Sequence, residues 1–214
     1  MITTIPFWSG NAQQAERLVD WIFWLNDKKP RGHVLIVADH EVHAEVREKI
    51  KISAELAFDS FEVVRMTAKL EPGNMVNQAF KKVAEYVKFS YRTPFLWLEP
   101  DSVPVVKGWQ KKLADAYNDQ PKKFCSGFVK VGEKMHISRH GIFCADAIAD
   151  LGKYLTEKEN FTTVGADLLA LKTTEMKLVK DCEIRTDKDI PTLTDGTLIV
   201  HGDKHGLLLK SLRK

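Results

Sequence analysis

The chain turns on the stretch Pro94-Phe-Leu-Trp-Leu-Glu-Pro-Asp-Ser-Val-Pro104. Uncharged residues fill 94–98, and two carboxylates follow at once, Glu99 and Asp101, on either side of Pro100. A short apolar run bounded by proline predicts a strand buried on both faces, of the kind found in the middle of a parallel sheet. In open α/β sheets ligands bind outside the carboxyl ends of the strands, so both acids fall where chemistry is expected. Pro100 biases Glu99 toward extended geometry, and an extended Glu-x-Asp directs its two carboxylates to one side. Two readings fit: a shared hard cation, held directly or through water, or a solvated loop with two surface acids.

Working outward, apolar strands alternate with amphipathic helices. Ile2–Phe7 reads as a strand, Gly10-Asn11 as a turn and helix cap, and Ala15, Leu18, Val19 and Ile22 recur at helical spacing. Residues 33–37 form a second buried strand that stops at Asp39, another strand-end acid, and Val42, Val46 and Ile50 mark the helix after it. A third strand over 61–66 leads through the turn Glu71-Pro-Gly-Asn74 into a helix with Val76, Ala79, Phe80, Val83 and Val87 on one face. After the central stretch, Trp109, Leu113, Ala116 and Tyr117 mark a fourth helix. Successive strand-helix units predict an α/β fold with a parallel-type sheet and right-handed crossovers. Beyond Asp119 the pattern loosens: a strand over 123–131, short helices over 145–154 and 167–171, and a last strand over 196–200 running into His201. The basic end from Lys210 reads as frayed, and Trp21, Trp24, Trp97 and Trp109 read as core.

Composition narrows the class. With 214 residues and 44% hydrophobic content the chain supports one sizeable core, hence one domain over 1–214. A net charge of +3 is compatible with polyanionic ligands but is far from that of a basic nucleic-acid-binding tail. Cys125, Cys144 and Cys182 are odd in number and scattered, without the spacing of a zinc site or disulfide framework, which fits a reducing compartment. Neither a basic n-region at the start nor a run of about 18 apolar residues is present, so neither a secretory signal nor a membrane span is expected, and the expected location is cytoplasmic.

Two further motifs complete a pattern. His201-Gly-Asp-Lys204 follows the last strand, and Gly165-Ala-Asp167 opens a short helix after 161–164. With Glu99-Pro-Asp101, they resemble the GT-A fold glycosyltransferases, in which an Asp-x-Asp motif holds a divalent cation on the diphosphate of a nucleotide-sugar. The resemblance implies a single GT-A-like, Rossmann-like domain with a mixed, mostly parallel central sheet flanked by helices. It implies a nucleotide-sugar-binding half over 1–119, and an acceptor-binding half with a C-terminal metal and diphosphate loop over 120–214. Glu99, Asp101 and His201 would be metal ligands for Mn²⁺ or Mg²⁺, with the imidazole favouring Mn²⁺. Lys204 would contact phosphate, and Gly202 and Gly206 beside it suit either a lid or a plain turn. Asp167 would be the general base of an inverting enzyme, or alternatively a helix cap. Pro6 and Phe7 would lie along the nucleotide base and Asp39 would meet the base or ribose, although Phe7 also reads as a core aromatic. Asn77, in the first turn of the third helix, would sit near the donor phosphates or sugar.

The donor so implied is a nucleoside-diphosphate sugar, with UDP-sugar the leading choice. For the acceptor, compact chains of this kind resemble bacteriophage glycosyltransferases, some of which modify hydroxymethylated pyrimidines in DNA. Lys111, Lys112, Lys122, Lys123, Lys130, Lys134 and Arg139 fall between the acidic motif and Asp167, where they suit either a DNA groove or solvated faces. A saccharide or lipid-linked acceptor and a non-catalytic nucleotide-sugar-binding module are the alternatives.

Overall fold

A computed structural model describes residues 1–66, 75–119, 124–131, 134–151, 176–178, 182–184, 193 and 197–213. Among the described residues the central sheet has seven strands, in the order β3-β2-β1-β4-β7-β6-β8. These are β1 (Ile2–Phe7), β2 (His33–Ala38), β3 (Ser60–Arg65), β4 (Phe95–Leu98), β6 (Phe124–Val131), β7 (Lys134–Phe143) and β8 (Met176–Leu178). A second, three-stranded sheet orders β5 (Ser102–Pro104), β10 (Ile199–His201) and β9 (Cys182–Ile184) as β5-β10-β9.

The apolar runs behave as a two-sided core requires. Every residue of β1 and β4 is buried, and successive side chains serve opposite faces. Ile5, Phe7, Val34, Ile36, Leu96 and Leu98 join a core with α1 (Ala12–Leu25), α2 (Ala44–Ala57) and α4 (Trp109–Asn118). Leu35, Val37, Phe95 and Trp97 face the other way, onto Phe80, Val83 and Val87 of α3 (Met75–Ser90). The Trp97 and Phe80 rings meet edge to face at 5.2 Å, a favoured arrangement for aromatic quadrupoles. Strands β1 to β4 pair in parallel in the order β3-β2-β1-β4, in agreement with the sequence.

The second half departs from the simple alternation. β7 runs antiparallel to both β4 and β6, with Phe95 opposite Phe143 and Leu98 opposite His140, so the sheet is mixed. The sequence reading contained β6 but not β7, because Lys134, His136, Arg139 and His140 break the apolar pattern by which an inner strand is recognised. Of the short helix expected over 145–154, Ala147–Leu151 (α5) is described. The C-terminal end is not frayed in the described residues: Leu207–Leu212 (α6) is a helix that buries Leu208 and Leu209 in the main core. Trp21, Trp97 and Trp109 are core as expected, whereas Trp24 is 40% exposed and stacks on Trp21 at 4.9 Å. Among the described residues no helix is long and apolar enough to cross a membrane.

Candidate metal centre

β4 delivers Glu99 at its carboxyl end. The chain then turns through Pro100 and Asp101, closed by the Ser102 N–H donating to the Glu99 carbonyl at 3.0 Å, and enters β5. β5 pairs antiparallel with β10, and the register sets His201 opposite Ser102. That register brings the imidazole to the two acids. Glu99 Oε2 lies 3.3 Å and Asp101 Oδ1 3.0 Å from His201 Nε2. One ligand atom from each residue falls within 4.8 Å of the others, and the residues are 5%, 8% and 5% exposed, respectively.

The cluster places two acids and one imidazole together in a buried position. Burial alone would lower the His201 pKa, but hydrogen bonds and charge from Asp101 and then Glu99 outweigh it and raise the imidazole to about 9. Ionisable groups buried together are stabilised by pairing with one another or by ligation to a metal. Around an octahedral ion with ligands at about 2.1 Å, neighbouring ligand atoms are about 3 Å apart, so these separations match adjacent coordination positions. Two oxygens and an imidazole nitrogen, with no thiolate, suit Mn²⁺ well and Mg²⁺ less well. The residues present therefore fit a divalent cation.

The loop after His201 is anchored. The N–H groups of Gly202 and Asp203 both donate to the Asp101 carbonyl at 3.0 Å. Gly202 has φ +96°, a region that residues with a Cβ rarely adopt. The buried Asp203 carboxylate accepts from the N–H groups of Leu208 and Leu209 at 3.1 and 3.2 Å, capping α6. Lys204 is exposed, and its carbonyl accepts a 2.6 Å hydrogen bond from the Arg17 guanidinium of α1. Residues 204–205 form a turn. Trp21 Nε1 donates to the Pro104 carbonyl at 2.6 Å and ties β5 to the same helix.

The remaining candidates scatter. Asp39 is buried at the end of β2, where Oδ1 accepts from the His40 N–H at 2.7 Å and lies 2.9 Å from His40 Nδ1. It shares the carboxyl edge of the sheet with Glu99 but stands two strands away, about 10 Å at the usual strand spacing. Pro6 is buried, the Phe7 ring is fully buried in the core, and the Phe7 carbonyl accepts from the Asp39 N–H at 2.9 Å. Asn77 lies in the first turn of α3. Asp167, Lys122, Lys123 and the turn 71–74 lie outside the described residues. Lys111 pairs with Asp115 at 2.6 Å and lines a cleft with Met1, Thr3 and His33, at the sheet end opposite Glu99. Sequence reasoning missed Asp203 and Arg17. An aspartate shortly before Gly206-Leu-Leu-Leu is a helix-cap signal that was open to reading, but nothing near Arg17 pointed to a loop 187 residues away.

No protein-family model and no curated protein sequence matches the chain. Solved structures do. Mouse xyloside xylosyltransferase 1, in its apo form, aligns with a TM-score of 0.64 at 10% identity over 95% of this chain and 98% of that one. Galactosyltransferase LgtC, in complex with donor and acceptor sugar analogues, aligns with a TM-score of 0.60 at 9% identity over 94% of this chain and 86% of that one. A Bacillus anthracis protein described as a glucose-1-phosphate thymidylyltransferase aligns with a TM-score of 0.58 at 9% identity over 100% and 94%. The fold is thus the one found in GT-A glycosyltransferases, as the sequence motifs implied. Because a thymidylyltransferase shares it, fold alone does not choose the reaction.

Proposed function

We propose that this chain is a metal-dependent glycosyltransferase that moves a sugar from a nucleoside-diphosphate sugar, a UDP-sugar in the leading case, to an acceptor hydroxyl. The observation that carries the reading is the convergence of Glu99, Asp101 and His201, buried at the carboxyl end of β4. A divalent cation held there would supply Lewis-acid stabilisation of the charge that develops on the departing diphosphate. Asp101 and Glu99 supply oxygen ligands, and His201 supplies nitrogen once its proton is displaced. Lys204, exposed three residues after His201, adds a positive charge on the diphosphate side, and Asp39 on the same sheet edge serves the base or ribose. Asn77 at the start of α3 and the backbone of Pro6 and Phe7 complete the donor side. Asp167 is the proposed general base if transfer inverts the anomeric centre, and that role disappears if it retains it.

For the acceptor we carry forward the hydroxymethylpyrimidine base of DNA. Lys111 is turned to the far end of the sheet, so the proposed phosphate contacts are Lys112, Lys122, Lys123, Lys130, Lys134 and Arg139. Each phosphate neutralised on duplex DNA lowers the slope of log affinity against log salt by about 0.9.

Thermal stability measured against a panel of nucleotide-sugars, with and without Mn²⁺, tests the donor half. A ligand that binds only the folded state raises the melting temperature, so one nucleotide-sugar should give a shift that requires Mn²⁺ and is lost in Asp101→Ala. A shift indifferent to both metal and Asp101 would overturn the reading. Release of pyrophosphate from a nucleoside triphosphate and a sugar phosphate would assign nucleotidyl transfer instead. Transfer of labelled sugar to an oligosaccharide and not to hydroxymethylated DNA would replace the acceptor. Metal-independent binding of a nucleotide-sugar without turnover would identify a binding module.

A further inference from the structure

Arg17 stands in α1, half-buried, and its guanidinium donates to the Lys204 carbonyl at 2.6 Å, with Gln14 Nε2 reaching the same oxygen at 3.4 Å. The contact is built from both sides. A Cβ added to Gly206 would lie 3.5 Å from Cδ, Nε and Cζ of Arg17, so the arginine rests directly on the glycine, whose φ of +69° also favours a residue without a side chain. The turn 202–206 is therefore fixed at three places: at the Asp101 carbonyl by Gly202 and Asp203, at α6 by the Asp203 carboxylate, and at α1 by Arg17. Two of these anchors are local to the acids and the last helix. Among the described residues, Arg17 makes the short hydrogen bond between the turn and α1, with Gln14 of the same helix the longer contact beside it.

We propose that Arg17 is a positioning residue for the metal centre: by holding the Lys204 carbonyl it presets the turn that begins at His201, so that cation and diphosphate meet an ordered loop. This inference rests on the metal-dependent reading of the site. Binding to a loop that is already ordered avoids the entropy of ordering it, so the latch acts on affinity. Removing it should loosen cation binding even in the absence of any sugar donor.

Mn²⁺ titration of the nucleotide-free protein, read by the electron paramagnetic resonance of free Mn²⁺, tests the proposal. Arg17→Met keeps an apolar stem on Gly206 but removes the guanidinium donors, leaving the Lys204 carbonyl only the longer contact from Gln14. It should weaken Mn²⁺ binding by about 10-fold, at the low end of losses seen when groups that support metal ligands are removed. Arg17→Lys, which can still donate to the carbonyl, should recover part of that loss, whereas a purely structural role would lower the melting temperature and leave Mn²⁺ affinity alone. Wild-type affinity in Arg17→Met overturns the latch and leaves the metal centre standing. If instead the wild-type protein shows no Mn²⁺ binding that His201→Ala abolishes, the metal reading fails and the latch falls with it. Should Arg17→Met fail to fold, Arg17→Gln, whose side chain is two bonds shorter and draws the donor back from the Lys204 carbonyl, carries the same expectation, and unchanged affinity in it overturns the proposal.

Discussion

The two ends of the central sheet each bring histidine and glutamate together, with opposite outcomes. Towards the amino ends of β2 and β3, the hydroxyls of Tyr86 and Tyr91 donate one to each oxygen of Glu62. His33 lies 2.6 Å from Ser60 Oγ through Nδ1 and 3.2 Å from the Tyr91 hydroxyl through Nε2. One carboxylate there has two neutral donors, burial lowers the His33 pKa, and the hydrogen bond from Tyr86 to Glu62 raises the phenol above its usual range. At the carboxyl end, two carboxylates share one imidazole, whose pKa is raised to about 9 despite burial. The first cluster is satisfied by the protein's own hydrogen bonds. The second gathers two acids and an imidazole in one buried place, the donor set that suits a divalent cation.

Breaking the carboxyl end should have the larger effects. Asp101→Ala removes one of the carboxylates proposed to hold the cation, at a strand end that contributes little to the core, so transfer activity and metal-dependent nucleotide binding should be lost while the circular-dichroism spectrum is unchanged. Near wild-type turnover in that variant would reduce the cluster to a structural turn. His201→Ala should weaken Mn²⁺-supported activity by about 10-fold or more, with a smaller loss under Mg²⁺, which prefers oxygen ligands. Equal metal titrations for variant and wild type would remove His201 from the site.

The raised pKa of His201 gives a pH test of the same end. Its folded value, about 9, exceeds the ordinary 6.5, so in metal-free protein the ion pair's stabilisation is fully present below about pH 6.5 and is lost as pH rises through 9. Metal binding displaces that proton, so Mn²⁺ affinity should move the other way, rising about tenfold per pH unit between about 7 and 9. Affinity flat over that range would mean that His201 does not coordinate. The smallest effect is expected at the other end. Tyr91→Phe removes one donor from Glu62 and should cost about 1 kcal/mol by denaturant unfolding. Mn²⁺ affinity should not change, and if it did, the two ends would be coupled through the sheet.

The comparison also explains what could be read in advance. Glu99, Asp101 and Asp39 were legible as strand-end acids because a continuous apolar run followed by charge marks both a buried strand and its end. Phe7, read either as lying along the nucleotide base or as a core aromatic, has a fully buried ring because alternation along β1 turns it to the α1 side of the sheet. The strand β7 and the helix at Leu207–Leu212 were not legible. Polar residues at 134–140 obscured the first, and lysines at the chain end obscured Leu208 and Leu209, whose burial depends on a core built by distant helices.

The sequence by itself determined the alternation of β1–β4 with α1–α4, the α/β class and the acids at the carboxyl edge, because periodicity and proline act within a few residues. Only the tertiary structure decided that His201 meets Glu99 across 102 residues, that Asp203 caps the last helix, and that Arg17 reaches the Lys204 carbonyl. Those meetings follow from the register of β10 on β5 and from the seating of α1, which long-range pairing fixes and no local preference encodes.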